Sequence, residues 1–140
     1  MHLLDINVWL ALAFDSHKHH QAAAAWFDGA ADETCCFCRM TQAGFLRLAS
    51  TPQVMMDQAL TLDAAWRVYD DLYADPRVVF AEEPAGIESL WRTLTRDKTF
   101  SPKIWNDAYL AAFAQSVDLE VVTLDKGLGQ YKDLRLTVLS

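Results

Sequence analysis

The chain lacks any apolar run approaching the roughly 18 residues that a membrane span requires, and its start has no basic stretch leading into a long apolar segment and cleavage site. These absences predict a cytoplasmic protein with no membrane contact. Cysteine is sparse and oddly counted, with all three residues crowded into TCCFC as Cys35, Cys36 and Cys38. Such a cluster is not a disulfide framework, and core positions on a strand are the expectation. Linkers, repeats and low-complexity tracts are missing as well. Positive charge is short: 12 Lys and Arg stand against 19 Asp and Glu, for a formal net charge of −7. That balance disfavours long-range attraction to nucleic acid unless charge is inverted locally, for instance by a bound divalent metal.

What is present is a globular balance, 52% hydrophobic and 22% charged over 140 residues. This fits one domain, residues 1–140, large enough for a genuine core. Residues 2–5 predict a short buried strand and Ile6 to Phe14 a helix; Ser16 is read as the cap of a second helix through HHQAAAAWFDGA, closed by Gly29. TCCFC predicts a second strand, followed by a helix near 41–49 that stops before Thr51 and Pro52. Thr61 caps a helix within ALTLDAAWRVYDDLY, and residues 77–80 predict a third strand. Pro84-Ala85-Gly86 and Ser101-Pro102 open two more helices, ending near Arg96 and Gln115. Residues 120–124 predict a fourth strand and 134–139 a candidate fifth. Alternation of this kind predicts an α/β fold, a three-layer α/β/α arrangement around a mostly parallel sheet of four to five strands.

Open α/β sheets bind ligands beyond the carboxyl ends of their strands, where the strand order reverses. Two acids fall there on this reading: Asp5, ending the first strand inside the apolar start MHLLDINVWLAL, and Asp125, following the fourth. Asp107 comes early in the helix before that strand, and its i+3 and i+4 neighbours Leu110 and Ala111 are apolar. It therefore lies on or beside the inward face. Each acid also has a plain structural reading: Asp5 as a helix cap, Asp107 as favourable charge at a helix start, Asp125 with Gly127 as a turn. Their joint placement favours a site. Three inward carboxylates repel one another unless a cation lies between them, and Mg²⁺ or Mn²⁺ is the simplest cation with oxygen ligands. His17, His19 and His20 lack a fourth ligand at a zinc spacing and are read as decorating a surface helix.

Leu3-Leu4-Asp5-Ile6-Asn7-Val8-Trp9, Thr41-Gln42-Ala43-Gly44-Phe45-Leu46-Arg47, Trp105-Asn106-Asp107-Ala108-Tyr109 and Val122-Thr123-Leu124-Asp125-Lys126-Gly127 together resemble PIN-domain ribonucleases. More narrowly, they resemble the VapC toxins of bacterial toxin–antitoxin pairs, in order along nearly the whole chain. The resemblance implies a metal-dependent endoribonuclease acting on cellular RNA, held inactive by a cognate VapB-type antitoxin and assembled as a homodimer. It implies Mg²⁺ or Mn²⁺ as cofactor. Residue by residue, Asp5, Asp107 and Asp125 match the family's metal-binding acids, and Asn7 matches the polar residue two positions after the first of them. One departure stands out: Gly44 occupies the place of a glutamate in the wider family's Thr-x-x-Glu-x-x-Arg pattern, and no acid occurs between Glu33 and Asp57. Gln42 is the nearest polar side chain in sequence, but it brings no negative charge. Weaker or single-metal binding is the expectation.

The implied chemistry is hydrolysis by an activated water, leaving a 5′-phosphate and a 3′-hydroxyl. Arg39, Arg47, Arg92, Arg96, Lys98 and Lys103 are candidate phosphate contacts. Trp26, Trp66, Trp91 and Trp105 sit at helical apolar positions and read as core or interface, not as RNA-stacking platforms. Two other classes compete. A haloacid-dehalogenase-like phosphohydrolase would use the first-strand aspartate as nucleophile but wants Asp-x-Asp, where this chain has Asn7. A catalytically weak interaction module is supported only by the missing glutamate.

Overall fold

Five short strands carry the architecture, in a computed structural model that describes residues 1–140. They are β1 (His2–Leu4), β2 (Cys35–Phe37), β3 (Val78–Phe80), β4 (Glu120–Thr123) and β5 (Leu136–Val138). The sheet order is β3-β2-β1-β4-β5, and every neighbouring pair is parallel. The sheet is thus wholly parallel with five strands. Parallel sheets need cover on both faces, so their central strands are apolar on both sides. Leu3 faces one core with Cys36 and Val121, while Leu4 faces the other with Cys35, Phe37 and Val122. The register agrees, since Leu3 pairs with both Cys36 and Val121.

Seven helices supply the cover: α1 (Ile6–Ala13), α2 (His20–Gly29), α3 (Arg39–Ala49), α4 (Pro52–Met55), α5 (Leu62–Leu72), α6 (Ile87–Thr95) and α7 (Ile104–Ser116). One face is built on α7, whose residues Ala108 to Ala114 are all buried. A helix apolar on every side belongs inside, and α6 shields it from water. The other face packs α1, α3 and α5 around Trp9 and Phe37, whose rings stack at 3.9 Å. All three cysteines are buried and unpaired. No helix is long and apolar enough to cross a membrane.

Helix starts depart from the sequence reading in instructive ways. Ser16 does not cap α2; its hydroxyl donates to Gln58 Oε1 at 2.5 Å, and residues 15–19 spend two further turns before the helix begins at His20. Helix α3 begins at Arg39 because Cys38 and Thr41 close on each other, the Cys38 amide donating to Thr41 Oγ1 at 2.9 Å. Helix α4 was not anticipated, and Pro52 supplies its first residue. Gly86, with φ of 80°, turns the chain into α6 one residue after the expected opening triplet began to bend. Helix α7 likewise starts at Ile104, after a turn in which the Ile104 amide donates to the Ser101 carbonyl.

Candidate active site

The sheet reverses direction of growth between β1 and β4: β2 and β3 lie to one side of β1, β4 and β5 to the other. A cleft of about 270 Å³ opens beyond that point, and Asp5, Asn7, Arg47, Lys103, Asp107 and Asp125 are among its lining residues. Every acid singled out in the sequence, and Asn7, is therefore brought to one place. Asp5 follows β1 directly and does two jobs. Its Oδ1 accepts from the Ile6 amide at 2.7 Å as the cap of α1, and its Oδ2 accepts from Thr123 Oγ1 at 2.8 Å. The cap role is thus observed, and it leaves the carboxylate at the edge of the cleft.

Thr123 is the residue that sequence reasoning missed. Fully buried at the end of β4, its hydroxyl donates to Asp5 while accepting from the Asp125 amide at 3.0 Å and facing Asn7 Nδ2 at 3.5 Å. Asn7 Oδ1 in turn accepts from the Leu124 amide at 3.2 Å. One hydroxyl and one carboxamide thus tie the loop after β4 to the loop after β1. The available signal was a threonine two residues before an acid at a strand end, a spacing with no meaning until β1 and β4 are known to be neighbours. Asp125 closes its own turn, Oδ1 accepting from the Gly127 amide at 2.8 Å, and its Oδ2 meets Lys103 Nζ at 3.2 Å.

Electrostatics separate the acids. Burial pushes the Asp107 carboxyl up to about 6, helped by the negative charges of Asp5 and Asp125 and opposed by Lys103, with no hydrogen-bond donor to hold the ionised form. Asp5 is also raised, mainly by burial, against the hydrogen bonds from Thr123 and Ile6. Asp125 is lowered by the Gly127 amide and then by Lys103. The site as it stands does not group three acid, histidine or cysteine side chains tightly enough to clasp a cation. Its donor set nevertheless suits a hard one, being all carboxylate oxygen, mutually repelling and served by a single ammonium. Lys103 is 70% exposed, so it can swing away.

Several expected contacts lie elsewhere. Gln42 is buried and accepts from the Arg39 guanidinium, which itself lies over the Phe80 ring at 4.7 Å. Neither lines the acid cleft. Lys98 sits over Tyr131, while Arg92 and Arg96 border a separate cleft, leaving Arg47 and Lys103 as the cations beside the acids. At Gly44, a Cβ would stand 2.2 Å from Ile6 Cδ1. The glycine is there because α1 and α3 press together, and the space of the absent carboxylate is filled by Ile6.

The family model described as PIN domain matches residues 2–134 of this chain. Ribonuclease VapC41 of Mycobacterium tuberculosis is 41% identical over 145 residues, covering 100% of this chain and 99% of its own. Ribonuclease VapC44 of the same organism is 32% identical, covering 90% of this chain and 87% of its own. Among solved structures, VapBC2 from Rickettsia felis bound to a DNA fragment from its promoter superimposes with a TM-score of 0.74 at 13% identity, over 99% of this chain and 98% of that one. Mycobacterium tuberculosis VapC20, described as a Sarcin-Ricin loop cleaving toxin, superimposes with a TM-score of 0.68 at 14% identity, over 94% and 95%. At such identities these two speak to the fold.

Proposed function

The chain belongs to the PIN-domain family, among the VapC ribonucleases, and on that premise we propose that Asp5, Asp107 and Asp125 are the acids with which it hydrolyses RNA. It is the endoribonuclease toxin of a toxin–antitoxin pair. The observation that carries the site assignment is convergence: three carboxylates from β1, α7 and the β4 loop share one cleft, and the one without a hydrogen-bond donor is pushed up to about 6. No arrangement of purely structural acids requires that.

Mg²⁺ or Mn²⁺, held by those three acids, would supply the positive charge that polarises a water and a phosphoryl oxygen. The protein's own residues do the positioning. Thr123 and the Ile6 amide fix both oxygens of Asp5, so its carboxylate presents one orientation to the cleft. Asn7 holds the backbone at Leu124 and with it the approach of Asp125. Asp107 has to lose its proton to serve, which happens as pH rises through about 6. Arg47 and Lys103 line the cleft as phosphate partners, and Lys103 can exchange Asp125 for an RNA oxygen. Water attacks phosphorus, the bond to the 3′ oxygen breaks, that oxygen takes a proton, and the products carry a 5′-phosphate and a 3′-hydroxyl. The phosphohydrolase alternative loses ground because Asn7 is engaged with backbone and Thr123 and offers no second carboxylate.

A nuclease of this class acts with a small VapB-type antitoxin whose tail covers the cleft and places an Arg or Lys among the acids, and the toxin pairs as a homodimer. Cleavage of single-stranded RNA with Mg²⁺ or Mn²⁺, compared with a phosphate monoester, tests the activity. We expect RNA cleavage in wild type and its loss in Asp107→Ala with the fold retained by circular dichroism. Undiminished cleavage in that variant would remove Asp107 from the site.

A further inference from the structure

A second cleft is larger than the acid one. It measures about 520 Å³ and is lined by Glu88, Trp91, Arg92, Thr95, Arg96 and Trp105. The first four of these recur along α6 at helical spacing and form one stripe, and Trp105 closes the opposite wall from the first turn of α7. Trp91 is held in place, its indole N–H donating to the Trp105 carbonyl at 3.0 Å and its ring meeting Tyr109 edge-on at 5.3 Å. Trp105 is different. It stands 57% exposed, touching Trp91 at 6.1 Å with the rings nearly perpendicular. Of the core and interface roles read from the sequence, its exposure excludes the core and leaves a large aromatic surface open on the single chain.

Two further facts say what that surface meets. Trp105 borders this cleft while the next two residues, Asn106 and Asp107, border the acid cleft, so the first turn of α7 contributes to both depressions. Arginine also lies in the cleft: Arg92 pairs with Glu88 at 2.9 Å, whereas Arg96 meets no carboxylate. An open indole beside an unpaired guanidinium is the combination that binds single-stranded nucleic acid, the ring stacking on a base and the cation meeting a phosphate. A purely apolar occupant would bury the Arg96 guanidinium without a partner and dehydrate the Glu88–Arg92 pair. The exposed Val54, Met56, Leu62 and Trp66 lie instead among Asp57 and Asp63, acids that repel a phosphate chain.

We infer that the Trp91–Trp105 cleft is a binding subsite for single-stranded RNA, in which Trp105 stacks on a base near the scissile phosphate and Arg96 contacts the backbone. The inference deepens the ribonuclease reading and rests on it for the direction of the strand. It extends the substrate path from the acids over Trp105 toward α6, so the base beside the cut is read by stacking, which tolerates any base and favours purines for their larger face.

The test measures binding apart from cleavage. Anisotropy of a labelled single-stranded RNA is followed in chelator at low ionic strength with the whole protein, Trp105→Ala, Trp105→Phe and Arg96→Ala, with cleavage in Mg²⁺ as a separate arm. Trp105→Ala should weaken binding about tenfold and leave its salt dependence unchanged, and Trp105→Phe should recover most of the loss. Arg96→Ala should weaken binding and lower the slope of log affinity against log salt by about 0.7. Equal binding by wild type and Trp105→Ala, or no binding by wild type, overturns the subsite even if cleavage in Mg²⁺ persists. Binding with these variant effects but without cleavage in any divalent metal upholds the subsite and defeats the nuclease reading. Sedimentation supplies the remaining outcome: if Trp105→Ala and Arg96→Ala dissociate a dimer in step with the lost binding, the cleft is a contact between copies and the inference fails.

Discussion

Asp5 and Asp107 are both acids in one cleft, yet removing them should have opposite effects on stability. Asp107 accepts no hydrogen bond and is raised by burial and by its acidic neighbours, so its charge opposes folding. Its value of about 6 lies above the ordinary 3.8, so between those limits the folded chain keeps a proton that the unfolded chain has lost. Stability in chelator should therefore fall as pH rises from about 4 to about 6, by about 1 kcal/mol after discounting for solvent screening. Asp107→Asn should flatten that part of the profile and melt higher at neutral pH, as thermal unfolding in chelator will register. Asp5→Ala deletes the α1 cap and strands the buried Thr123 hydroxyl, so relief of repulsion is offset by about 1 kcal/mol for the cap and a similar amount for the hydroxyl. It should lose activity and melt no higher than wild type. Thr123→Val keeps the shape and removes the tie: cleavage should drop about tenfold or more as Asp5 loses its fixed orientation. Steady-state rates with and without excess Mg²⁺ distinguish this from a weakened metal site, because added metal restores only the latter.

Between elements, the contact of α1 with α3 is set by Gly44. A Cβ there meets Ile6 Cδ1 at 2.2 Å and Cγ1 at 2.9 Å, so even alanine requires Ile6 to move. Glycine inside a helix is ordinarily a weakness that a side chain relieves, and Gly44→Glu would then tighten metal binding provided the helix accepts the side chain. The packing reverses that expectation. Gly44→Ala and Gly44→Glu should each destabilise by about 1–3 kcal/mol, read by denaturant unfolding. Ile6→Val removes the nearest atom, so Gly44→Ala should cost less in that background than alone. Absence of such coupling would mean that the helices simply separate. Helix interiors were legible because apolar periodicity reflects the core, but helix starts were not. Ser16 went to Gln58, and α3 gained two residues through the Cys38–Thr41 closure. Those choices depend on which donors the folded chain leaves nearby.

Across the whole molecule, sheet order made the acids readable: a parallel α/β sheet concentrates chemistry where its strands turn back, and Asp5 and Asp125 end the two strands that flank that point. The tie through Thr123, the placement of Lys103 and the paired clefts were not readable, since each joins side chains with no local relation. The exposed Leu62 and Trp66 on α5 and Val54 and Met56 beside it give the molecule apolar surface for a second copy or an antitoxin helix. Sedimentation of the purified chain should give a dimer, and addition of the neighbouring gene product a heavier complex without nuclease activity; a monomer indifferent to that product would defeat the toxin reading. The central strand β1 is made first, but its partner β4 comes late, and Thr123 reaches Asp5 across 118 positions of chain. No local hairpin can stand in, because every pairing is parallel. During translation the first acid therefore waits on the order of ten seconds for its companions. The three acids cannot share one cleft until the segment through Asp125 has been made and β4 has docked beside β1.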